Sequence, residues 1–497
     1  MVTTDQALSA GSAAPQAVEP GTGRAGENSG KSRHLPRHLR RLHFFAGIIC
    51  APLIFIASLT GLAYAFAPTL ENAVYSSNIT VEVPADGQQL PMEKIVDIAT
   101  QRHPEQPISG IRVGEKDQAV RVLFKHPTKS ASFTDAVFVN PYNGEITGDM
   151  VQYGNSGALP LRDWLSHGHR DLWLGDTGRF YSEFAASWLG VLAVSGVYLW
   201  WKRQRSGTGR SASMLKVSGR GRTRNLRWHG ALGTALALGM IFFTFTGLTW
   251  SSVAGTNIGK VRTELNWATP KVTTSLDGAA APAVKDPHAG HDHAGHDHAG
   301  HDHSGHSATA APSKLSLAAQ STKVAATAAT ELRSGVTLRP PSEAGQAWSV
   351  MENRQAYRKD NNSIAVNGDT SEVTARLAFA DWPLAAQATA WMIQLHMGTM
   401  LGLPNQIVLG LLAVGIIILV VRGYMLWSQR RPQGQLVADA PARARGAELR
   451  FGVAGILAVV GMIAYGFFAP VFGVTCLAFL VCSVIWDVVR SRRRKAH

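Results

Sequence analysis

The polarity of the chain changes in long blocks. An apolar run from Phe44 to about Ala67 follows the basic stretch RHLPRHLRRLH, and a second, from about Phe184, closes with Trp200, Trp201 and KRQR. A third runs from His229 to about Trp250, and a fourth from about Gln406 to Trp427 before SQRR. Each is apolar for about the length that a helix needs to cross ~30 Å of hydrocarbon. The stretch from Phe451 to Val489 exceeds one crossing, and Pro470 at its middle predicts a tight turn between two short helices. Two large polar regions, about 69–160 and 251–382, separate the apolar runs. Each shows helical periodicity, near Met92–Arg102 and again from about 315, and then alternating segments such as VRVLF and AVFVN that predict a small antiparallel sheet.

Charge adds a topology to this pattern. Lys and Arg cluster in every alternate connection, which places both termini, the 202–228 loop and the 428–450 loop in the cytoplasm. The expectation is a polytopic α-helical membrane protein with six spans, at 43–67, 181–201, 229–250, 405–427, 451–469 and 470–489. Two small α+β outer domains, 69–180 and 251–404, complete it. Residues 1–40 read as a disordered basic tail by composition, and 490–497 as a second basic tail. Ala63-x-Ala65 and Ala65-x-Ala67 match signal-peptidase sites, but the apolar run is longer than a typical h-region, so the first run is read as a retained span.

The chain repeats itself. An offset of 227 carries Asn140 to Asn367, Glu145 to Glu372, His169 to His396, Leu174-Gly175 to Leu401-Gly402, Gly196 to Gly423 and Leu199-Trp200 to Leu426-Trp427. An offset of 186 carries His43 to His229, Gly47 to Gly233, and Thr60-Gly61-Leu62 to Thr246-Gly247-Leu248. A register that preserves polar and small residues through both loops and spans marks a duplication with pseudo-twofold symmetry. The two offsets differ by an insertion in the second outer domain, and HAGHDHAGHDHAGHDHSGH supplies it.

Composition excludes some functions. The net charge of +14 is explained by the clusters flanking apolar runs, so no nucleic-acid partner is expected. Cys50, Cys476 and Cys482 all lie in apolar segments without a CxxC, which argues against a disulfide framework or a thiolate metal site. Gly21, Gly23 and Gly26 form a G-x-G-x-x-G pattern with no strand before it and no helix after it, so it is not a nucleotide fingerprint.

Histidine carries the candidate chemistry. The topology puts His43 and His229 at the cytoplasmic ends of their helices and His169 and His396 at the outer face, one pair per side of the membrane. Two imidazoles approaching one axis from opposite sides match the ligand set of a bis-His haem, so two haem b groups are expected. His169 stands about fifteen residues before the apolar core at Phe184, with Gly175 and Gly178 between, which predicts a short interfacial helix for it. Gly61, Gly196, Gly247 and Gly423 either clear space for a macrocycle or let helices approach closely, the second being favoured. Trp200, Trp201, Trp250 and Trp427 read as interfacial anchors. Arg170 and Asp176 lack charged equivalents in the second half, His167 corresponds to Gln394, and His103 and His126 read as ordinary polar-domain residues. His288, His291, His293, His296, His298, His301, His303 and His306 present imidazole with Asp in a Gly/Ala context, suited to collecting divalent metal without imposing one geometry.

With these residues in view the chain resembles the PepSY-associated transmembrane family, a group that includes iron-regulated inner-membrane proteins and ferric-siderophore reductases. The likeness rests on His43 with Thr60-Gly61-Leu62, VFVNPYNGEITG, His169-Arg170 with Leu174-Gly175-Asp176, SGVYLWW, and His229 with Thr246-Gly247-Leu248, and covers roughly residues 40–490. It implies PepSY-like outer domains and, in reductase members, haem-dependent electron transfer to ferric chelates. The expectation is therefore a metal-chelate reductase of the plasma (inner) membrane, acting on a siderophore or other chelate. Its electrons would come from a quinol or a separate reductase, because no flavin or nicotinamide motif stands in credible context. The His-rich insertion departs from the family pattern and suits copper or zinc equally well. The alternative is a non-enzymatic PepSY membrane protein that regulates a protease or binds and delivers metal ions.

Overall fold

The computed structural model describes residues 35–205, 219–276, 315–430 and 453–495. The His-rich segment, the glycine pattern and residues 206–218 and 431–450 of the basic loops lie outside them, whereas 202–205, 221–228, 35–40 and 490–495, expected as loop or tail, extend the helices described below.

The chain begins with α1 (Leu35–Ala65), which continues into α2 (Ala67–Val74) and α3 (Ser76–Ile79). The first outer unit contains α4 (Met92–Arg102), β1 (Ile108–Val113), β2 (Val120–Lys125), β3 (Phe133–Val139) and β4 (Ile146–Tyr153). The short α5 (Pro160–Asp171) leads into α6 (Gly175–Arg205), followed by α7 (Gly221–Thr249) and α8 (Val253–Glu264). The second outer unit contains α9 (Leu317–Glu331), β5 (Val336–Arg339), β6 (Trp348–Glu352), β7 (Ser363–Val366) and β8 (Val373–Leu377). Then come α10 (Leu384–His396), α11 (Leu403–Ser428), α12 (Val453–Phe468) and α13 (Pro470–Lys495).

Four of the described helices, α1, α6, α7 and α11, are long and apolar enough to cross a membrane. α1 and α7 each pack against α6 and α11 and face one another across the middle of the bundle. The six-span expectation is met for these four only. α12 has 16 residues and the apolar part of α13 is Pro470–Ile485, each shorter than the ~20 residues of an upright crossing. The two meet at a close approach of Gly466 to Gly473 and lean on α6 and α8.

The two outer units do not hold separate sheets, as their sequences suggest. They share one eight-stranded antiparallel sheet in the order β4-β3-β2-β1-β5-β6-β7-β8. β1 and β5 form the seam, with Ile111 opposite Leu338. One face buries Val122, Phe124, Val137, Trp348 and Val350 under α4 and α9, where the Trp348 indole donates to Gln320 Oε1 at 2.7 Å. The repeat is visible even in its turns: Asn140 donates its backbone N–H to Glu145 O at 2.8 Å, and Asn367 donates to Glu372 O at 2.9 Å.

The reversals above the bundle are also duplicated. Gly175 and Gly402 open α6 and α11 with φ of +59° and +56°, a conformation that favours glycine. Gly178, expected to interrupt the path, lies inside α6, where its missing side chain admits the Asp171 carbonyl.

Candidate functional site

The structure brings His43 together with His229 and His169 together with His396. Ring centroids are 6.4 Å apart in each pair, with the planes at 80° in the first and 37° in the second. His43 and His229 come from the facing helices α1 and α7. His169 and His396 stand near the ends of the short helices α5 and α10 and reach into the mouth of the bundle, against Thr60 of α1 and Thr246 of α7.

Three of the four imidazoles are oriented by one device. Thr246 Oγ1 donates its hydrogen to Phe242 O, four residues back, at 2.8 Å and lies 2.7 Å from His396 Nδ1. Thr60 Oγ1 repeats this with Ile56 O at 2.9 Å and His169 Nδ1 at 3.2 Å. Ser195 Oγ does so with Val191 O at 2.6 Å and His43 Nδ1 at 2.9 Å. A hydroxyl has one hydrogen, so when that hydrogen goes to the helix carbonyl the oxygen accepts from Nδ1–H. The network therefore assigns the proton to Nδ1 and leaves the Nε2 lone pair available as a ligand. Burial pushes His169 down to about 4, and burial with His169 nearby pushes His396 down to about 3, so both are neutral at physiological pH.

His229 breaks the pattern. The position equivalent to Ser195 is Arg422, whose guanidinium is engaged with Asn225 Oδ1 at 2.8 Å. His229 Nδ1 meets no hydroxyl among the described residues, and the Leu419 backbone is the acceptor beside its ring.

Glycine gives the rings their room. A Cβ on Gly61 would stand 2.9 Å from His169 Cε1, one on Gly196 3.1 Å from His43 Cε1, and one on Gly423 3.6 Å from His229 Cε1. Gly61 and Gly196 thus serve the imidazoles directly, a Cβ on Gly423 would make only an ordinary contact with His229, and Gly247, facing Ala186 Cβ at 3.2 Å, serves helix packing as expected. Trp250 and Trp200, expected as interfacial anchors, make contacts within the bundle. Trp250 lies edge-on to His396, with centroids 5.2 Å apart, its repeat mate Tyr64 stacks on His169 at 6.1 Å, and Trp200 is buried over Gly230.

His169 and His396 line a cavity of about 630 Å³ that extends from the bundle mouth to the sheet. That volume suits a cofactor or small-molecule ligand. Arg170, unremarkable in sequence because its counterpart is Met397, lines it and donates to Tyr153 Oη at 3.3 Å. His167 lies outside it, bound to Asp171 Oδ2 at 3.0 Å. His103 pairs with Asp149 at 3.0 Å on the outer unit.

The pairs fit a haem on the chemistry of their donors. No group of three or more His, Cys, Asp or Glu able to hold a metal ion occurs among the described residues, so each pair offers two nitrogens, too few for a protein-only metal centre. A haem would bring its own macrocycle donors and would need two more from the protein, which each histidine pair would provide. A metal–imidazole bond of about 2 Å on each side, plus about 1 Å from nitrogen to ring centre, separates the ring centres by about 6 Å, as both pairs do.

No curated protein matches this chain. The family model of the PepSY-associated TM region matches residues 40–430, a span that takes in the four long helices, the shared sheet and all four paired histidines but stops before α12. The chain belongs to the family of the PepSY-associated TM region.

Proposed function

We propose that this protein is a plasma-membrane, haem b-dependent electron carrier that reduces an oxidised metal complex outside the cell, a ferric siderophore or a copper chelate. The observation that supports this most strongly is the pair of facing imidazoles near each end of the bundle, each pair drawing one ligand from each half of the repeat. His43 and His229 would hold the inner haem and His169 and His396 the outer one. When bound, the two haems supply a one-electron couple near each membrane face. The chain's own contribution is to present unprotonated Nε2 atoms, to clear space with Gly61 and Gly196, and to bury the ligands away from water. Each ion reduced, iron(III) to iron(II) or copper(II) to copper(I), takes one electron from an external donor, a quinol or a partner reductase. The softer, less charged ion then leaves hard oxygen ligands more readily.

In this proposal both termini are cytoplasmic and the shared sheet, formed by PepSY-like units, is outside. α12 and α13 form a hairpin that crosses as two short spans, which returns the C-terminus to the side of the 428–450 loop. The His288–His306 segment collects divalent metal near the outer unit.

The test is a reduced-minus-oxidised visible spectrum of the protein purified in detergent after haem-sufficient expression. Two haem b per chain are expected, with His43→Ala and His229→Ala removing one set of bands and His169→Ala and His396→Ala the other. No haem signal, or loss of bands on substituting His167 or His103 instead, overturns the proposal. Deleting 288–306 leaves the spectrum intact and lowers divalent-metal binding; an unchanged metal titration removes the segment's role.

A further inference from the structure

The two halves of the repeat treat the membrane-facing side of the sheet differently. In the first half, Leu123, Ala136 and Phe138 on that face are buried with Ile79, Val81 and Leu159. Matching the two halves by their strand registers, Ile111 opposite Val122 and Leu338 opposite Val350, makes Arg121 equivalent to Ser349, Leu123 to Met351 and Ala136 to Ser363. Ser349, Met351 and Ser363 line the cavity. In the first half the floor is covered by apolar side chains packed around Arg121, whose guanidinium lies over the Phe138 ring, whereas the equivalent residues of the second half line the cavity.

The helix that follows each inner span accounts for the difference. α2 and α8 begin at equivalent positions, Ala67 and Val253. α2 packs on α5 and leads through α3 to the sheet, where Ile79 O accepts from Ala119 N at 2.9 Å. α8 instead lies along α12 and α13, and Asn257 Nδ2 donates to Phe468 O at 3.1 Å. With α8 packed on the hairpin beyond the family-matched region, no helix among the described residues takes the place of α2 and α3 on the floor beneath β5–β7.

The charge of this opening is one-sided. The cavity is lined by Arg170, Arg179, Lys271, Arg339 and Arg354, with Glu352 as the acid among its described lining residues. Glu352 is already bound by Arg333, Nη2 to Oε2 at 3.1 Å. Arg170, paired with Asp171 at 3.4 Å, and Arg179, bonded to Ser252 Oγ at 2.7 Å, line the same cavity as His169. Arg339 on β5, which also donates to Asn155 Oδ1, and Lys271 and Arg354 on the segments beside the sheet put three cationic side chains on the walls of the same cavity as Ser349 and Ser363.

We infer that the open floor beneath β5–β7 binds an anionic ligand, a metal complex carrying carboxylate or other oxyanion donors, in preference to neutral or cationic complexes of similar size. A site lined by one sign of charge between low-dielectric walls concentrates the opposite sign and discriminates by repulsion as well as attraction. For the reaction this rests on the reductase proposal above; the binding itself does not. Arg339, Lys271 and Arg354 would set the specificity, and the histidine pairs would be indifferent to it.

The experiment uses gallium(III) complexes, which do not accept an electron under these conditions and so report binding alone. Full-length protein in nanodiscs is titrated with gallium(III) citrate and, separately, with a cationic gallium trishydroxamate, by calorimetry or through quenching of Trp250 and Trp382, which line the cavity. The citrate complex is expected to bind at least about tenfold more tightly, with an advantage that shrinks as salt rises. Lys271→Glu and Arg339→Gln are each expected to weaken it by about tenfold or more while leaving the trishydroxamate unchanged or improved. Lys271 is exposed, so its variant keeps the test independent of folding. Equal affinities for the two complexes, or unchanged citrate affinity in both variants, overturns the inference and leaves the haem proposal standing. A protein without haem that still selects the anion overturns the haem proposal alone.

Discussion

Ser195 and His43 are joined by a contact of 2.9 Å whose direction is fixed from the other side, because the serine hydroxyl donates to Val191 O at 2.6 Å. The imidazole is thereby held in one tautomer, while His229 opposite has no such partner. Groups that orient a metal ligand in this way are worth about 10–100-fold in metal affinity or activity. Ser195→Ala is expected to loosen the inner centre by that order without altering the outer one, and Thr246→Val to do the reverse. Redox titration of each variant, following the two centres by their separate potentials, checks this. A serine variant that disturbs both centres equally would mean that Ser195 acts through folding.

Gly61 and Gly47 separate the demands of an imidazole from those of a helix. Alanine is the better helix former by about 1 kcal/mol, yet crowding a packed site costs about 1–3 kcal/mol. At Gly61 the new Cβ meets the His169 ring at 2.9 Å, whereas at Gly47 nothing lies within 4 Å. Gly61→Ala should displace the ring and lower occupancy of the outer centre. Gly47→Ala should be silent or mildly stabilising. Haem content per chain and thermal unfolding of both variants decide the matter, and full occupancy in Gly61→Ala would show that His169 has room to retreat.

Glu352 makes the outer sheet sensitive to acid. Burial would raise its pKa, but hydrogen bonds from Arg333 and from the backbone N–H groups of Asn362 and Arg333 outweigh burial and hold it below its ordinary 4.5. A carboxyl group with a depressed folded pKa contributes stability that is complete above the unfolded value and is lost as pH falls through the folded one. Stability of the outer sheet should therefore decline below about pH 4.5, and Glu352→Gln should be less stable at neutral pH with a shallower acid slope. Denaturation midpoints against pH, read by circular dichroism, test the slope.

Much of the site was legible because duplication is a pattern of identities, and identities survive in sequence. The offsets of 227 and 186 paired His169 with His396 and His43 with His229 before any coordinate was needed. Thr60 and Thr246 stood in the quoted motif without a role, since a membrane-helix threonine bonding back to its own helix looks complete. Only the fold shows that the same oxygen also meets an imidazole. Arg170 was passed over because symmetry was the guide and its mate is Met397. The shared sheet was hidden for a different reason: alternation tells which face of a strand is buried but not which edge meets which. The open floor follows from where α8 docks, a long-range choice that its own residues do not announce.

The seam between β1 and β5 has one more consequence. Each half of the chain owns one imidazole of each facing pair and one of the two strand edges that meet at Ile111 and Leu338. Produced alone, either half would carry an unsatisfied edge and single ligands, and would be driven toward self-pairing or aggregation. Cut within residues 206–218 and produced as two polypeptides, the halves have every reason to find each other, so under the proposed function the smallest unit able to carry an electron is the complementing pair.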